Sequence, residues 1–274
     1  MGKFENILIV SDIDGTFLGT GGVIVEKNIE ALGYFLSEGG KFTFSTGRVH
    51  QSLLNTIPIA DKIVSAPGIM SNGGYLYDFV FDEVLNAKTM DETLARKLVE
   101  YIYDYNDELC IRCSSPYETF YCRGLPIYHA HSEKSYSGSK LLTRDEWNFK
   151  DCCKFVIRGR CEALDELRAA LEEKFGDELE IMKSGETFLE VLPFGCSKGS
   201  AIGGLREYYR GHGVDVKVYA CGDYENDISM LKVADVAVCP SNASDEVKAI
   251  SDMILCHCSE GLIANLIEII CLSK

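Results

Sequence analysis

The stretch ILIVSDIDGT, residues 7–16, places two aspartates on either side of a single isoleucine, directly after an apolar run. The run at 7–10 predicts a buried strand, and an unpaired carboxylate at the end of such a strand is costly because it loses its hydration. Residues two apart on an extended segment face the same side. We therefore expect Asp12 and Asp14 to face a common crevice, with Ile13 turned into the core.

The sequence around this stretch alternates short apolar runs with amphipathic segments. A helix is predicted over 26–37, ended by Gly39 and Gly40, and the same alternation returns near the C-terminus. Such alternation indicates βαβ units and a parallel sheet. The other predicted elements are strands at 41–48, 62–65, 216–221, 236–239 and 253–256, and helices at 197–210 and from about 261.

The middle of the chain has a different pattern and predicts an inserted α/β domain. A capping box at 89–92 opens a predicted helix that runs to about residue 105. A polar loop is expected at 129–140, and a hairpin turn at 183–186. Strands at 109–113, 118–122, 153–158, 178–182 and 187–193 and a helix at 161–175 complete this region. The predicted divisions are a core in two halves, 1–85 and 192–274, and a cap at 86–191.

The charge of the chain limits its partners. The 274 residues carry 27 basic and 42 acidic side chains, a formal net charge of -15. This balance argues against nucleic acid or an anionic membrane as the partner, because both require basic patches. The apolar run near the N-terminus is too short for a signal peptide, and no run is long enough to span a membrane. We expect a cytoplasmic protein, and the sequence leaves its oligomeric state open.

The twelve cysteines are expected to be reduced and mostly buried, as is usual without a secretion signal. A zinc site is the alternative. Cys110, Cys113 and Cys122, followed by His129 and His131, include possible zinc ligands. Their later spacings match no standard zinc finger, so a packing role is favoured.

Polar clusters follow three of the predicted strands, at 11–16, 45–48 and 221–227. The carboxyl ends of neighbouring parallel strands share one crevice, so these clusters can converge although they are far apart in the chain. Asp12, Asp14 and Asp223 would then meet, with Asp227 as a further candidate for the same site. Like charges at contact distance require a cation, and a few hard oxygen ligands suit Mg²⁺.

Groups that bind phosphate are predicted in the same crevice. They are the hydroxyls of Ser45 and Thr46, the Arg48 guanidinium, the Lys198 ammonium at the start of a helix, and backbone N–H groups at glycines. Carboxylates with Mg²⁺ beside phosphate donors indicate phosphoryl transfer, with a carboxylate as a possible nucleophile.

Four motifs also resemble, in order, those of the haloacid dehalogenase (HAD) superfamily. They are DIDGT at 12–16, FSTGR at 44–48, CSKG at 196–199 and GDYEND at 222–227. The TGR form, the long insert and the tail at 239–262 resemble the Cof-type phosphatases with a type IIB cap. The resemblance implies a doubly wound, Rossmann-like parallel-sheet core of α/β class with an inserted α/β cap.

The resemblance also implies roles for residues. Asp12 would be the nucleophile, Asp14 the acid and base, and Mg²⁺ would be held by Asp12, Asp223 and the backbone carbonyl of Asp14. Asp227 would bind the metal or lie behind it; alternatively it would simply cap the following helix. Thr46 and Lys198 would be catalytic as well: Thr46 would bind a phosphoryl oxygen, and Lys198 would neutralise the phosphate and Asp12. The substrate would be contacted by these two residues and by Gly47, Arg48, Asn72 and Asn226.

The leading functional hypothesis is a Mg²⁺-dependent phosphatase of small phosphorylated metabolites. A phosphomutase shares the aspartyl-phosphate step, and a signalling receiver combines acids, a Ser/Thr, a Lys and Mg²⁺. Receivers are about half as long and lack an acid two residues after the nucleophile, which Asp14 supplies here. Sugar phosphates are the favoured substrate class, while pyridoxal phosphate, flavin mononucleotide and nucleotides stay open.

Overall fold

The structure, a computed structural model, describes residues 2–125 and 139–273. Its strands, numbered along the chain, are β1 (Ile7–Ser11), β2 (Leu18–Gly19), β3 (Val23–Ile24), β4 (Lys41–Phe44), β5 (Gly68–Met70), β6 (Tyr75–Asp78), β7 (Glu83–Leu85), β8 (Cys110–Ser114), β9 (Thr119–Arg123), β10 (Lys140–Leu141), β11 (Lys154–Arg158), β12 (Leu179–Gly185), β13 (Phe188–Pro193), β14 (Lys217–Cys221), β15 (Val236–Pro240) and β16 (Met253–Leu255).

The α-helices of the described residues follow the same order. They are α1 (Glu26–Ser37), α2 (His50–Thr56), α3 (Ala60–Ile63), α4 (Glu92–Tyr105), α5 (Cys161–Phe175), α6 (Lys198–Gly211), α7 (Ile228–Val233), α8 (Asp245–Ile250) and α9 (Leu262–Leu272). The predicted helices at 26–37 and 161–175 agree with α1 and α5 at both ends.

The core is a five-stranded parallel sheet in the order β16-β15-β14-β1-β4. Strand β1 lies inside this sheet, between β14 from the far end of the chain and β4. Residues 7–16 therefore run along an interior strand and leave the sheet at its carboxyl edge. Because an interior strand is covered on both faces, residues 7–10 are uniformly apolar.

Helices cover both faces of this sheet. Ile7 and Ile9 of β1 belong to a buried cluster with residues of α1 and α9, whereas Leu8 and Val10 belong to a second cluster with residues of α6, α7 and α8. The alternation of side chains along β1 thus separates two helical layers. The predicted α/β class with a doubly wound parallel sheet is confirmed.

The cap contains a six-stranded sheet in the order β10-β9-β8-β11-β13-β12, mostly antiparallel. Phe155 and Ile157 of β11 pack with apolar residues of α4 and α5, which cover one face of the sheet. The division of the chain into core halves at 1–85 and 192–274 and a cap at 86–191 stays a prediction.

Two local predictions are wrong. Residues 62–65 do not form a strand, because α3 runs through Ile63, and the nearest strand begins at Gly68. An apolar run this short does not distinguish a strand from a helical turn. Helix α4 is capped by Asp91, whose carboxylate accepts hydrogen bonds from the Thr93 and Leu94 N–H groups, rather than by the box opening at residue 89.

All twelve cysteines are free, and most are buried. Within residues 2–125 and 139–273, the one cluster of three or more potential metal ligands consists of Asp12, Asp223 and Asp227, so it contains no cysteine. His129 and His131, invoked for a zinc site, lie outside the described residues. None of the helices in the described part of the chain is both long and apolar enough to cross a membrane.

Candidate active site

The loop after β1 is fixed against the loop after β14. The Asp12 N–H donates to the Cys221 carbonyl at 2.9 Å, which continues the pairing of the two strands. The Thr16 hydroxyl donates to Asp223 Oδ1 at 2.6 Å. Gly15 has φ +86°, and a Cβ there would lie 2.4 Å from Asp223 Oδ2, so only glycine fits between the two loops.

This closure brings three carboxylates together around one lysine. Ligand atoms of Asp12, Asp223 and Asp227 all lie within 4.8 Å of one another. The Nζ atom of Lys198, the first residue of α6, lies 2.6 Å from Asp12 Oδ1 and 2.6 Å from Asp227 Oδ1. The lysine side chain is fully buried. It therefore lies between two of the acids and partly neutralises them.

Burial dominates the electrostatics of the cluster. It raises the pKa of Asp12 well above the ordinary value; the charge of Lys198 opposes this rise, and the neighbouring carboxylates add to it. Burial likewise raises the pKa of Asp223 to about 7, assisted by Asp227. For Lys198, burial lowers the pKa, but Asp12 and Asp227 outweigh it, so the pKa stands above 10.5. Since these carboxyl groups are costly to ionise in this buried position, an added cation would stabilise their ionised forms.

Both carboxylate oxygens of Asp227 accept hydrogen bonds from groups of the protein itself. Oδ1 accepts from Lys198, and Oδ2 accepts from the N–H groups of Asp223 at 2.9 Å and Tyr224 at 3.1 Å. The side chain makes no capping hydrogen bond to α7, although the residue precedes that helix. Its oxygens thus hold the loop that carries Asp223.

The remaining oxygens fit a magnesium ion. Among the described residues, no hydrogen-bond donor contacts Asp12 Oδ2 or Asp223 Oδ2. Mg²⁺ prefers a few hard oxygen ligands and keeps several waters. Two free carboxylate oxygens within a cluster of three acids match this requirement, and the Asp14 carbonyl is the further ligand implied by the sequence motif.

Thr46, Gly47 and Arg48 follow β4 and approach the acids from the neighbouring strand. The Thr46 N–H donates to the Ile69 carbonyl at 2.9 Å, and the Thr46 hydroxyl accepts from the Arg48 N–H at 3.2 Å. Thr46 lines the cavity above Asp12, whereas Ser45 is fully buried and lies outside the cavity lining. Of the two hydroxyl residues, Thr46 is thus the one that reaches the cavity, and its phosphate-binding role stays a prediction.

Asp14 lines the same cavity but faces Arg48. The Arg48 Nε and Nη2 atoms each lie 2.9 Å from one of its two carboxylate oxygens. The Asp14 side chain is 58% exposed, so this ion pair is screened and weak. The carboxylate can exchange Arg48 for another partner at little cost.

The cavity of about 510 Å³ lies between core and cap. From the core it is lined by seven residues predicted from the sequence: Asp12, Asp14, Thr46, Gly47, Arg48, Asp223 and Asn226. The predicted site residues Asn72, Lys198 and Asp227 lie behind this lining. From the cap it is lined by residues that the sequence reasoning missed, namely Arg112, Val156, Arg158, Ser184, Gly185, Phe188 and Glu190. Charged residues at alternate positions of otherwise apolar cap strands were the signal that could have found several of them.

A buried hydrogen-bond network joins cap to core beside the cavity, and three of its members, Gly47, Glu190 and Asn226, also line the cavity. Lys154 Nζ lies 2.6 Å from Glu190 Oε2 and also donates to the carbonyl of Gly47 in the core. Glu190 Oε2 accepts from Asn72 Nδ2 at 2.8 Å, and Asn72 Oδ1 accepts from Asn226 Nδ2 at 3.2 Å. Asn72 therefore connects the two domains instead of facing the cavity.

We expect Lys154→Met to destabilise the protein by about 3–5 kcal/mol, because it leaves the Glu190 carboxylate buried without its cation. Lys154 and Glu190 are 1% and 6% exposed as side chains. The double variant Lys154→Met/Glu190→Leu should recover a large part of this loss. Urea unfolding of the single and double variants checks it; equal destabilisation by both would contradict the pairing argument.

Comparisons with known proteins agree with this site. A family model described as a haloacid dehalogenase-like hydrolase matches residues 9–267. The chain is 28% identical to the 5-amino-6-(5-phospho-D-ribitylamino)uracil phosphatase YwtE of Bacillus subtilis, over 95% of this chain and 96% of that protein. It is 27% identical to the chloroplastic endoribonuclease YBEY of Arabidopsis thaliana over 90% of this chain, but it spans only 43% of that longer protein.

A solved structure shows the same fold. The HAD subclass IIB sugar phosphatase BT4131 aligns with a TM-score of 0.82, covering 96% of this chain and 98% of that one at 21% identity. The predicted membership is confirmed by the family match, which spans nearly the whole chain and both halves of the core. The chain therefore belongs to the haloacid dehalogenase-like hydrolases and is a phosphoric monoester hydrolase of that family.

Proposed function

We propose that this enzyme is a Mg²⁺-dependent phosphatase that hydrolyses small phosphorylated metabolites through an aspartyl phosphate on Asp12. The observation that carries the proposal is the placement of Asp12 at the cavity floor, with Oδ1 on Lys198 and Oδ2 free among the described residues. Oδ2 is then available to a metal ion, while Oδ1, which Lys198 orients, would attack phosphorus. A metal ion, when bound, would neutralise negative charge on the phosphoryl group.

Two displacements complete the proposed reaction. An Asp12 oxygen bonds to phosphorus and the ester P–O bond breaks, while Asp14 gives a proton to the leaving oxygen. Water then attacks phosphorus and gives a proton to Asp14, and the bond from phosphorus to Asp12 breaks. Before the first step, Asp14 leaves the Arg48 guanidinium, with which it forms paired hydrogen bonds at 2.9 Å as a carboxylate, and takes up a proton from solvent. Thr46 supplies a hydroxyl to a phosphoryl oxygen.

Sugar and polyol phosphates are the proposed substrate class. The name of the relative YwtE specifies a phosphorylated ribityl chain, a polyhydroxylated phosphate ester. A cavity of about 510 Å³ is large enough for a molecule of this size. Release of inorganic phosphate from a panel of sugar and polyol phosphates, with p-nitrophenyl phosphate as a generic substrate, tests the proposal. A stable phosphoprotein without turnover would favour a receiver, and dependence on a bisphosphate primer would favour a mutase.

Removal of the metal is expected to abolish turnover. Treatment with EDTA should reduce phosphate release by at least about 100-fold, because Lys198 alone would then neutralise the acids that face the phosphoryl group. Addition of excess Mg²⁺ should restore the rate, whereas KCl added to the same ionic strength should not. Undiminished turnover in EDTA would refute the metal requirement.

A further inference from the structure

Two arginines of the cap line the cavity opposite the acids of the core. Arg112 lies on β8 and Arg158 on β11, and the two strands are antiparallel neighbours. Arg112 pairs directly with Val156, so Arg158 is its diagonal neighbour, two residues further along β11. Diagonal positions on one face lie about 7–8 Å apart, a separation that long side chains bridge. Both guanidinium groups can therefore reach one ligand group.

The direction of these side chains is set by the alternation along β11. Phe155 and Ile157 point into the cap core under its helices, so Val156 and Arg158 point to the opposite face, toward the cavity. The Arg158 guanidinium also lies over the Phe188 ring, with its carbon 4.9 Å from the ring centroid. This stacking restrains the arginine at the cavity wall.

Glu190, an acid on this wall, is neutralised by a lysine outside the cavity lining. Glu190 is bound to Lys154 at 2.6 Å and accepts from Ser184 at 2.6 Å. The cavity thus has an acidic wall on the core, built around Asp12, and a basic wall on the cap. The chain as a whole carries a net charge of -15, so this basic wall does not reflect a general excess of basic residues.

We infer that Arg112 and Arg158 form a second anion subsite, and that the preferred substrate carries another anionic group, a carboxylate or a second phosphate, in its leaving group. The inference rests on the proposed function, which places the reacting phosphoryl group on the core wall. Guanidinium forks bind both kinds of oxyanion through paired hydrogen bonds. The subsite selects among phosphate esters without taking part in bond breaking.

Matched substrates test the subsite. 6-Phosphogluconate and sorbitol 6-phosphate share one open chain and differ only in a carboxylate against a hydroxymethyl group. Fructose 1,6-bisphosphate and fructose 6-phosphate differ only in a second phosphate group. The wild-type enzyme should favour the doubly anionic member of at least one pair by about 10–100-fold in kcat/KM. The pair that shows the preference identifies the oxyanion.

Variants then assign the preference to these side chains. The quantity compared is the kcat/KM value for the doubly anionic ester divided by that for its singly anionic partner. Arg112→Gln and Arg158→Gln should each bring this ratio to within about three-fold of unity. Arg160→Gln, at an exposed cap position that pairs with Glu108, is the matched control and should keep the wild-type ratio. The ratio is internal to each variant, so partial loss of folded protein does not alter it.

Two results would overturn the subsite. One is a wild-type ratio near unity in both pairs, which needs no variant; the other is an unchanged ratio in Arg112→Gln and Arg158→Gln. Either result, with p-nitrophenyl phosphate still hydrolysed, rejects the subsite and leaves the phosphatase proposal intact. Failure to hydrolyse p-nitrophenyl phosphate and all four esters rejects the proposed function itself.

Discussion

Asp12→Asn is expected to abolish phosphate release, with kcat reduced by about 10⁴-fold or more, as for other variants that lack the nucleophile. Asparagine has almost the same shape, and its side-chain oxygen can still accept the hydrogen bond from Lys198, now 2.6 Å from Asp12. The loss should therefore fall on kcat rather than on folding. Phosphate release under saturating substrate, with circular dichroism of the variant, checks both parts.

Asp61→Asn is the matched control for this variant, because it makes the same chemical change at an exposed position on α3. It should retain the wild-type rate. Trapping with acid during turnover should also detect a phosphorylated wild-type chain and no phosphorylated Asp12→Asn chain. A variant that retains more than about a tenth of the wild-type kcat would show that another group attacks phosphorus.

Lys198→Met is expected to lower the free energy of unfolding by about 3–5 kcal/mol, in addition to impairing turnover. The change leaves Asp12 and Asp227, both at 2.6 Å from the lysine, side by side without their shared cation. The pKa of Asp12 is already raised by burial, and Lys198 is the group that opposes that rise. The destabilisation should shrink as the pH falls, because protonation of Asp12 removes the uncompensated charge.

Urea unfolding at neutral and acidic pH measures this effect, with Lys62→Met as the control at an exposed position of α3. Added Mg²⁺ should recover part of the lost stability, since a divalent ion would replace the missing positive charge among the acids. Equal unfolding midpoints for Lys198→Met and the wild type would contradict the neutralising role of this lysine.

Much of the core could be predicted because its signals are local. The apolar run of β1 ends at Asp12, and the alternation rule correctly placed Ile13 in the core, where it is fully buried. The approach of Asp12 and Asp223 followed from the rule that parallel strands end at a common edge. The catalytic roles of these residues stay predictions that the experiments above address.

The contacts between cap and core could not be predicted, because they join positions far apart in the chain. Lys154 meets the Gly47 carbonyl, 107 residues away, and Asn72 meets Glu190, 118 residues away. Such pairs cannot be inferred from the periodicity of any single segment. Asn72 was expected at the substrate from the motif that surrounds it, but its amide is occupied by Glu190 and Asn226.

The interior position of β1 also determines when the core can form during synthesis. Ile7 is paired with Lys217, so the sheet around the first strand cannot close until more than two hundred further residues have been made. The cap has its own apolar cluster and is built from consecutive segments, which favours earlier folding. We therefore expect a nascent chain to carry a folded cap beside an N-terminal segment in which β1 can pair with β4 but still lacks β14, and chaperones to be needed chiefly at that stage.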